Sequence, residues 1–216
     1  MVPAPSAGHA TGVRGRNELA SLGKDGDVRA VVLVEGGSDR AAVETLARRR
    51  GLDLAAEGVA VVPMGGATNI ASSLAVYGPS GLGVSVAGLY DVAEEDFVRR
   101  ALTRFGLDPE PSRSAFFACV ADLEDELIRA LGSDGVERVL DAEGELASFR
   151  RFQRQPAQRA RTVEAQLHRF LGTRSGRKHR YGRLLVEALD LARVPRPLDR
   201  ALTAARSGEP GVPPGR

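Results

Sequence analysis

Four consecutive apolar residues, Val31-Val32-Leu33-Val34, stop at Glu35, and the next positions are Gly36, Gly37, Ser38 and Asp39. No other stretch constrains the fold as tightly. A continuous β-branched or large apolar run of this length reads as a strand buried on both faces, the pattern of a parallel sheet covered by helices. The next segment, Ala41 to Arg50, repeats its apolar residues at helical spacing. It ends in Arg48, Arg49 and Arg50, cations that suit the C-terminal end of a helix. Ser38 is the expected N-cap. Strand, glycine turn and helix in succession put Glu35 at the C-terminal end of a buried strand and Asp39 at the start of the helix beside it. That end of an open α/β sheet is where ligands bind.

A second apolar run, Leu82 to Tyr90, stops at Asp91, and helical spacing follows from Glu94 to Leu102. Two parallel strands that both end in an acid bring both acids to one rim. Carboxylates on one rim repel each other unless a cation lies among them. A set of hard oxygen donors favours Mg²⁺ or Mn²⁺ over zinc. Gly58 to Met64 reads as another short buried strand. Gly65-Gly66 then turns the chain, and Thr68 or Asn69 is expected to cap a helix over 70–76. Ala115 to Ala121 is the fourth strand and ends at Asp122, a ligand or an N-cap, with Glu124 or Asp125 able to point back to the rim. Alternating strands and helices predict a parallel sheet with short connections. From Leu123 to Leu202 only helical spacing remains. The expected architecture is therefore α/β: a four-stranded, mostly parallel sheet flanked by helices over 29–145, then a helical subdomain over 146–206. Residues 1–28 and 207–216, rich in Pro and Gly, read as an unstructured lead-in and tail.

The net charge of +2 conceals a strong asymmetry. Asp91 to Ala147 holds 15 acidic and 6 basic residues, whereas Phe149 to Arg183 holds 11 Lys or Arg and 1 Glu. An acidic centre followed by a basic segment suits a metal site that works on a polyanion; solvated helix faces are the plainer reading. The single cysteine, Cys119, lies in an apolar run and reads as a buried thiol in a reducing, cytoplasmic setting. No apolar run reaches membrane-spanning length. The first turn lacks G-x-G-x-x-G, and an acid there would repel a pyrophosphate. Residues 172–179 do not fit a P-loop, and no Cys/His set suggests zinc. His168 and His179 read as exposed residues on basic faces.

Three segments together carry a family resemblance. Val-Leu-Val-Glu35-Gly-Gly-Ser-Asp39, Pro63-Met-Gly-Gly-Ala-Thr-Asn69-Ile70 and Gly88-Leu-Tyr-Asp91 resemble a Toprim domain, the metal-binding fold of topoisomerases, bacterial primase and several nucleases. The Gly-Gly-x-x-Asn-Ile turn and the later Asp122-Leu-Glu124 and Lys178 resemble most the OLD (overcoming lysogenization defect) nucleases, over roughly 31–202. The resemblance implies two divalent metals, with Glu35 and Asp39 serving one and Asp91 the other. It also implies an acid near Asp122 to Glu124 and a required lysine, matched here by Lys178. The usual Asp-x-Asp pair is Asp91-Val92-Ala93 in this chain, so Glu94 or Glu95 is expected to stand in for the second aspartate. OLD proteins carry an ATPase half ahead of the Toprim half. None is read in these 216 residues, so ATP dependence is expected only through a separate ATPase subunit.

The expected activity is metal-dependent cleavage of DNA, with Glu35 and Lys178 as catalytic groups and Mg²⁺ or Mn²⁺ held by Glu35, Asp39, Asp91, Glu94, Asp122 and Glu124. Arg150, Arg151, Arg154, Arg174, Arg177 and Arg180 are the expected grip on the DNA backbone. Phe149, Phe152 and Tyr181 are candidate stacking groups whose plainer role is core packing. The alternatives are a Toprim nucleotidyl transferase and a non-catalytic DNA-binding or regulatory module. No feature of the sequence specifies an oligomeric state.

Overall fold

Strand β1 (Ala30–Val34) is buried along its whole length, as a continuous apolar run requires. The computed structural model describes residues 28–110, 113–174 and 176–208; most of the expected lead-in and of the expected tail lies outside them. β1 is followed by helix α1 (Gly37–Arg49), strand β2 (Val59–Pro63), helix α2 (Ile70–Tyr77), strand β3 (Ser85–Asp91), helix α3 (Glu95–Arg104) and strand β4 (Phe116–Cys119). The sheet order is β2-β1-β3-β4 and every pairing is parallel. All four strands therefore present their C-terminal ends on one edge.

The expected strand from Leu82 begins later, at Ser85. Gly83 (φ +68°) and hydrogen bonds from the Leu82, Gly83 and Val84 N–H groups back to Val76, Gly78 and Tyr77 hold those residues in a turn. Gly88 in β3 leaves room for Phe116, whose ring carbons lie 2.5–2.6 Å from where a Cβ would stand.

Beyond β4 the chain is helical: α4 (Leu123–Leu131), α5 (Ser133–Ala142), α6 (Leu146–Gln153), α7 (Val163–Leu171), α8 (Arg177–Ala188) and α9 (Arg196–Ser207). Helices α2 and α3 cover one face of the sheet, where Val31, Leu33, Ile70, Leu74, Val98, Leu102 and Phe116 form one cluster. The other face packs on α1 and α9, and its core runs on without a break into α4 to α8. Phe149 and Tyr181 are fully buried within it, and Phe149 meets Phe170 edge-on at 5.3 Å between ring centres. Those aromatics pack the core and are closed to stacking with a base. Full burial of a large apolar side chain contributes roughly 1.5–3 kcal/mol, so the C-terminal helices are fixed to the sheet by many such terms. Among the described residues, no helix is long and apolar enough to cross a membrane.

Candidate functional site

The glycine turn after β1 sets the first two acids. Gly36 is extended (φ −147°, ψ −173°) and is the N-cap of α1, one position earlier than expected for Ser38. Its N–H donates to Asp39 Oδ2 at 2.9 Å, so Asp39 reaches back over the first turn, while the Ser38 hydroxyl sits 3.5 Å from Asp39 Oδ1. Glu35 is exposed at the strand end. Its carbonyl accepts from the N–H groups of Gly65 (3.0 Å) and Gly66 (3.1 Å). Gly65 (φ +75°) and Gly66 (φ +116°) adopt backbone conformations that favour glycine, which makes this turn tight enough to lie against β1. Asn69 occupies the N-cap position of α2, but its side chain donates to the carbonyls of Met64 (3.0 Å) and Gly65 (3.2 Å) and so locks the turn instead of the helix.

A cleft of about 530 Å³ opens at this edge, and Glu35, Asp39, Asp91, Asp122 and Glu124 all line it, with Lys178 and His179 opposite. Three separate segments supply the five carboxylates: the β1–α1 turn, the end of β3 and the start of α4. Asp122 caps α4 by accepting the Asp125 N–H at 2.8 Å, and its other oxygen lies 2.6 Å from His168 Nε2. Lys178 Nζ lies 3.1 Å from Glu124 Oε2 and 3.7 Å from Asp122 Oδ2. The Glu124 side chain is 3% exposed, and its other oxygen is buried without a hydrogen-bond partner.

One lysine and one histidine do not balance five acids, and the carboxyl groups show it. Burial, then the charge of Glu124, pushes Asp39 up to about 6. Burial, then Glu35, Asp122 and Asp39, pushes Asp91 up to about 7. Burial would also raise Asp122, but the His168 hydrogen bond and the Asp125 N–H outweigh it and hold Asp122 below the usual range. His168 is raised chiefly by its bond to Asp122. Burial alone would lower Lys178, but Glu124 and Asp122 outweigh it and raise it.

Helix α8 reaches the cleft because two glycines allow it. Gly182 packs against the first turn of α1, where a Cβ would lie 2.5 Å from the Ser38 carbonyl oxygen. One turn earlier, His179 Nδ1 lies 2.9 Å from the Gly37 carbonyl, and a Cβ on Gly37 would stand 3.2 Å from that nitrogen. These contacts present Lys178 and His179 to the acids. Both histidines were expected on exposed basic faces; His179 is exposed but lines the cleft, and His168 is half-buried against Asp122. Their partners are 46 and 142 positions away along the chain, and no local signal marks them.

Other expected site residues lie elsewhere. Glu94 sits in the 3-10 turn Val92–Glu94 and does not line the cleft, because that turn carries it past the rim. Arg177 is 6% exposed; it pairs with Glu145 at 2.8 Å, donates to the Phe170 carbonyl and lies over the Phe170 ring, so it is closed to a polyanion. Arg150 pairs with Glu137, and Arg180 with Glu143. Arg151, Arg154 and Arg174 are on or beside α6 and α7 and have no acidic partner among the described residues. Also among the described residues, no three acid, thiol or imidazole groups are already drawn together closely enough to hold an ion. The acids instead face Lys178, His168 and the Gly36 N–H.

Comparison with known proteins agrees with this geometry. The family model "Overcoming lysogenization defect protein-like, TOPRIM domain" matches residues 28–92, the span from β1 to the end of β3. The C-terminal region of the Burkholderia pseudomallei OLD protein superposes with a TM-score of 0.65 at 22% identity, over 83% of this chain and 98% of that one. The corresponding region of the Xanthomonas campestris pv. campestris OLD protein gives 0.63 at 26% identity, over 83% and 95%. No curated protein matches. The TOPRIM match supports a function of the nuclease type in general. Residues 28–92 thus match an OLD-like TOPRIM domain, within a fold similar to that of the C-terminal region of OLD proteins.

Proposed function

We propose that this chain is a nuclease that cuts DNA phosphodiester bonds with Mg²⁺ or Mn²⁺ held in the carboxylate cleft. The observation that carries the reading is the gathering of Glu35, Asp39, Asp91, Asp122 and Glu124 around one opening, with Asp91 pushed to about 7 by burial and by its neighbours' charge. The donors are all hard oxygens, and one buried Glu124 oxygen has no partner, so the residues fit a divalent cation. Glu35 and Asp39 would hold one ion and Asp91 the other, with Asp122 and Glu124 close by. Bound there, such ions supply Lewis-acid activation of water and stabilise the leaving oxygen.

The chain's own groups divide the remaining work. Glu35, exposed at the strand end, is placed to accept a proton from the attacking water. Asp39 is held by the Gly36 N–H and keeps the glycine turn rigid. Lys178 stands at the Glu124 side of the cleft and offsets charge on the phosphate. The Gly65-Gly66 turn presents a wall without side chains, so a sugar-phosphate backbone can approach closely. Arg151, Arg154 and Arg174 remain as the grip on flanking phosphates, which positions DNA without reading its sequence.

Purified protein incubated with supercoiled plasmid and Mn²⁺ or Mg²⁺ tests this. Nicking that is lost in Glu35→Ala and Asp91→Ala is the expected result. A second reading, a non-catalytic DNA-binding module, is favoured by Val92 and Ala93 after Asp91 and by Glu94 lying off the cleft. DNA binding without nicking in either metal would establish that reading and overturn the first.

A further inference from the structure

The cleft has five carboxylates, which serve a cation when ionised, and few other groups that can give a proton. Among the described lining residues, proton donors with a side chain free for substrate are scarce. Lys178 is engaged with Glu124 and Asp122, the Ser38 hydroxyl faces Asp39, and Cys119 is buried with its thiol pushed far up by burial. His179 differs from all of these. Its ring lines the cleft, and it is anchored through one nitrogen only, Nδ1 at 2.9 Å from the Gly37 carbonyl. A carbonyl oxygen only accepts, so Nδ1 must carry the hydrogen, and Nε2 is the nitrogen that gains and loses a proton. Nothing in the described structure bonds to Nε2. Gly37 suits the arrangement, because a Cβ there would stand 3.2 Å from Nδ1 and push the ring by a few tenths of an ångström.

We propose that His179 is the general acid of the phosphodiester cleavage, donating its Nε2 proton to the leaving sugar oxygen. The inference rests on the nuclease reading above. In the step, the water oxygen bonds to phosphorus and its proton passes to a cleft carboxylate. The bond from phosphorus to the sugar oxygen breaks, and that oxygen takes the Nε2 proton, leaving a neutral imidazole that solvent reprotonates. The charged groups that line the same cleft are Lys178 on its own helix, Glu35 and Asp39 on the β1–α1 turn, Asp91 on β3, and Asp122 and Glu124 at the start of α4.

The test compares an ordinary DNA diester with diesters in which a bridging sulfur replaces the 3′ or the 5′ leaving oxygen. A thiolate leaves without protonation. His179→Gln should therefore slow cleavage of the ordinary diester by about 10²-fold, the size of one general-acid contribution, and leave the correct sulfur substrate cut as fast as by the unaltered protein. Equal slowing on both substrates, or no slowing on either, overturns the proposal while the nuclease reading stands. An unaltered protein that cuts no substrate in either metal overturns both. A second readout needs no activity: ¹⁵N-coupled NMR of the imidazole at high pH should show hydrogen on Nδ1 and a lone pair on Nε2. The opposite tautomer contradicts the proposal.

Discussion

Asp39 and Asp91 are carboxyl groups that the folded protein holds protonated to an unusually high pH. Both lie above their ordinary value of 3.8, at about 6 and about 7, because burial and neighbouring acids disfavour the charged form. A carboxyl whose folded pKa is raised binds its proton more tightly when folded. Its stabilising contribution is complete below the unfolded pKa near 4 and is lost as pH rises through 6 to 7. His168 is raised as well, so its contribution also fades as pH rises. Metal-free protein should therefore melt at a lower temperature at pH 8 than at pH 5.5 in scanning fluorimetry. Mg²⁺ or Mn²⁺ should restore more of that stability at pH 8 than at pH 5.5, because ligation needs the ionised carboxylates. A melting temperature that climbs from pH 5.5 to 8 without metal would contradict the crowded-acid description.

At the scale of elements, the site depends on how closely α8 approaches the start of α1. Gly182→Ala would put a methyl group 2.5 Å from the Ser38 carbonyl oxygen, which is backbone and cannot step aside. The expected cost is about 1–3 kcal/mol in urea unfolding, as for overpacking elsewhere. The Lys178 and His179 side of the cleft should loosen with it. Gly36→Ala is the matched control: nothing lies within 4 Å of its Cβ position and its φ is extended, so stability should change by less than about 0.5 kcal/mol. Equal effects from the two changes would refute the close-approach argument. The strands, their acid ends and the glycine turns were legible in the sequence because each is written in neighbouring residues. The α1–α8 contact was not. Gly37 meets His179, and Gly182 meets Ser38, only after the chain has closed over a separation of more than a hundred positions, and neither glycine differs locally from a turn or helix glycine.

Across the whole molecule, the charge asymmetry of the sequence partly cancels in space. The basic segment folds onto the acidic one, with Arg150 on Glu137, Arg177 on Glu145 and Arg180 on Glu143. Run lengths of like charge could not reveal this, because pairing is a tertiary property. Arg151, Arg154 and Arg174 are among the cations of that segment left without an acidic partner in the described residues, and they are the proposed grip on DNA. Removing these three together should lower the slope of log affinity for DNA against log salt by about 3, near 1 for each phosphate contact. Fluorescence anisotropy across a salt series measures it. Replacing Arg150 and Arg180 should change the slope far less, and the reverse ranking would move the DNA path to another face.

Glu35, Asp39 and Asp91 are brought to one edge by parallel strands, and we propose that they hold divalent ions there. A crystal soaked in Mn²⁺ and measured at a wavelength where manganese scatters anomalously decides whether they do. The expected result is an anomalous peak inside the cleft, within coordination distance of Glu35 or Asp39 and of Asp91, that disappears in Asp91→Ala. A fully soaked crystal with an empty cleft, or with manganese only at unrelated surface carboxylates, would contradict it.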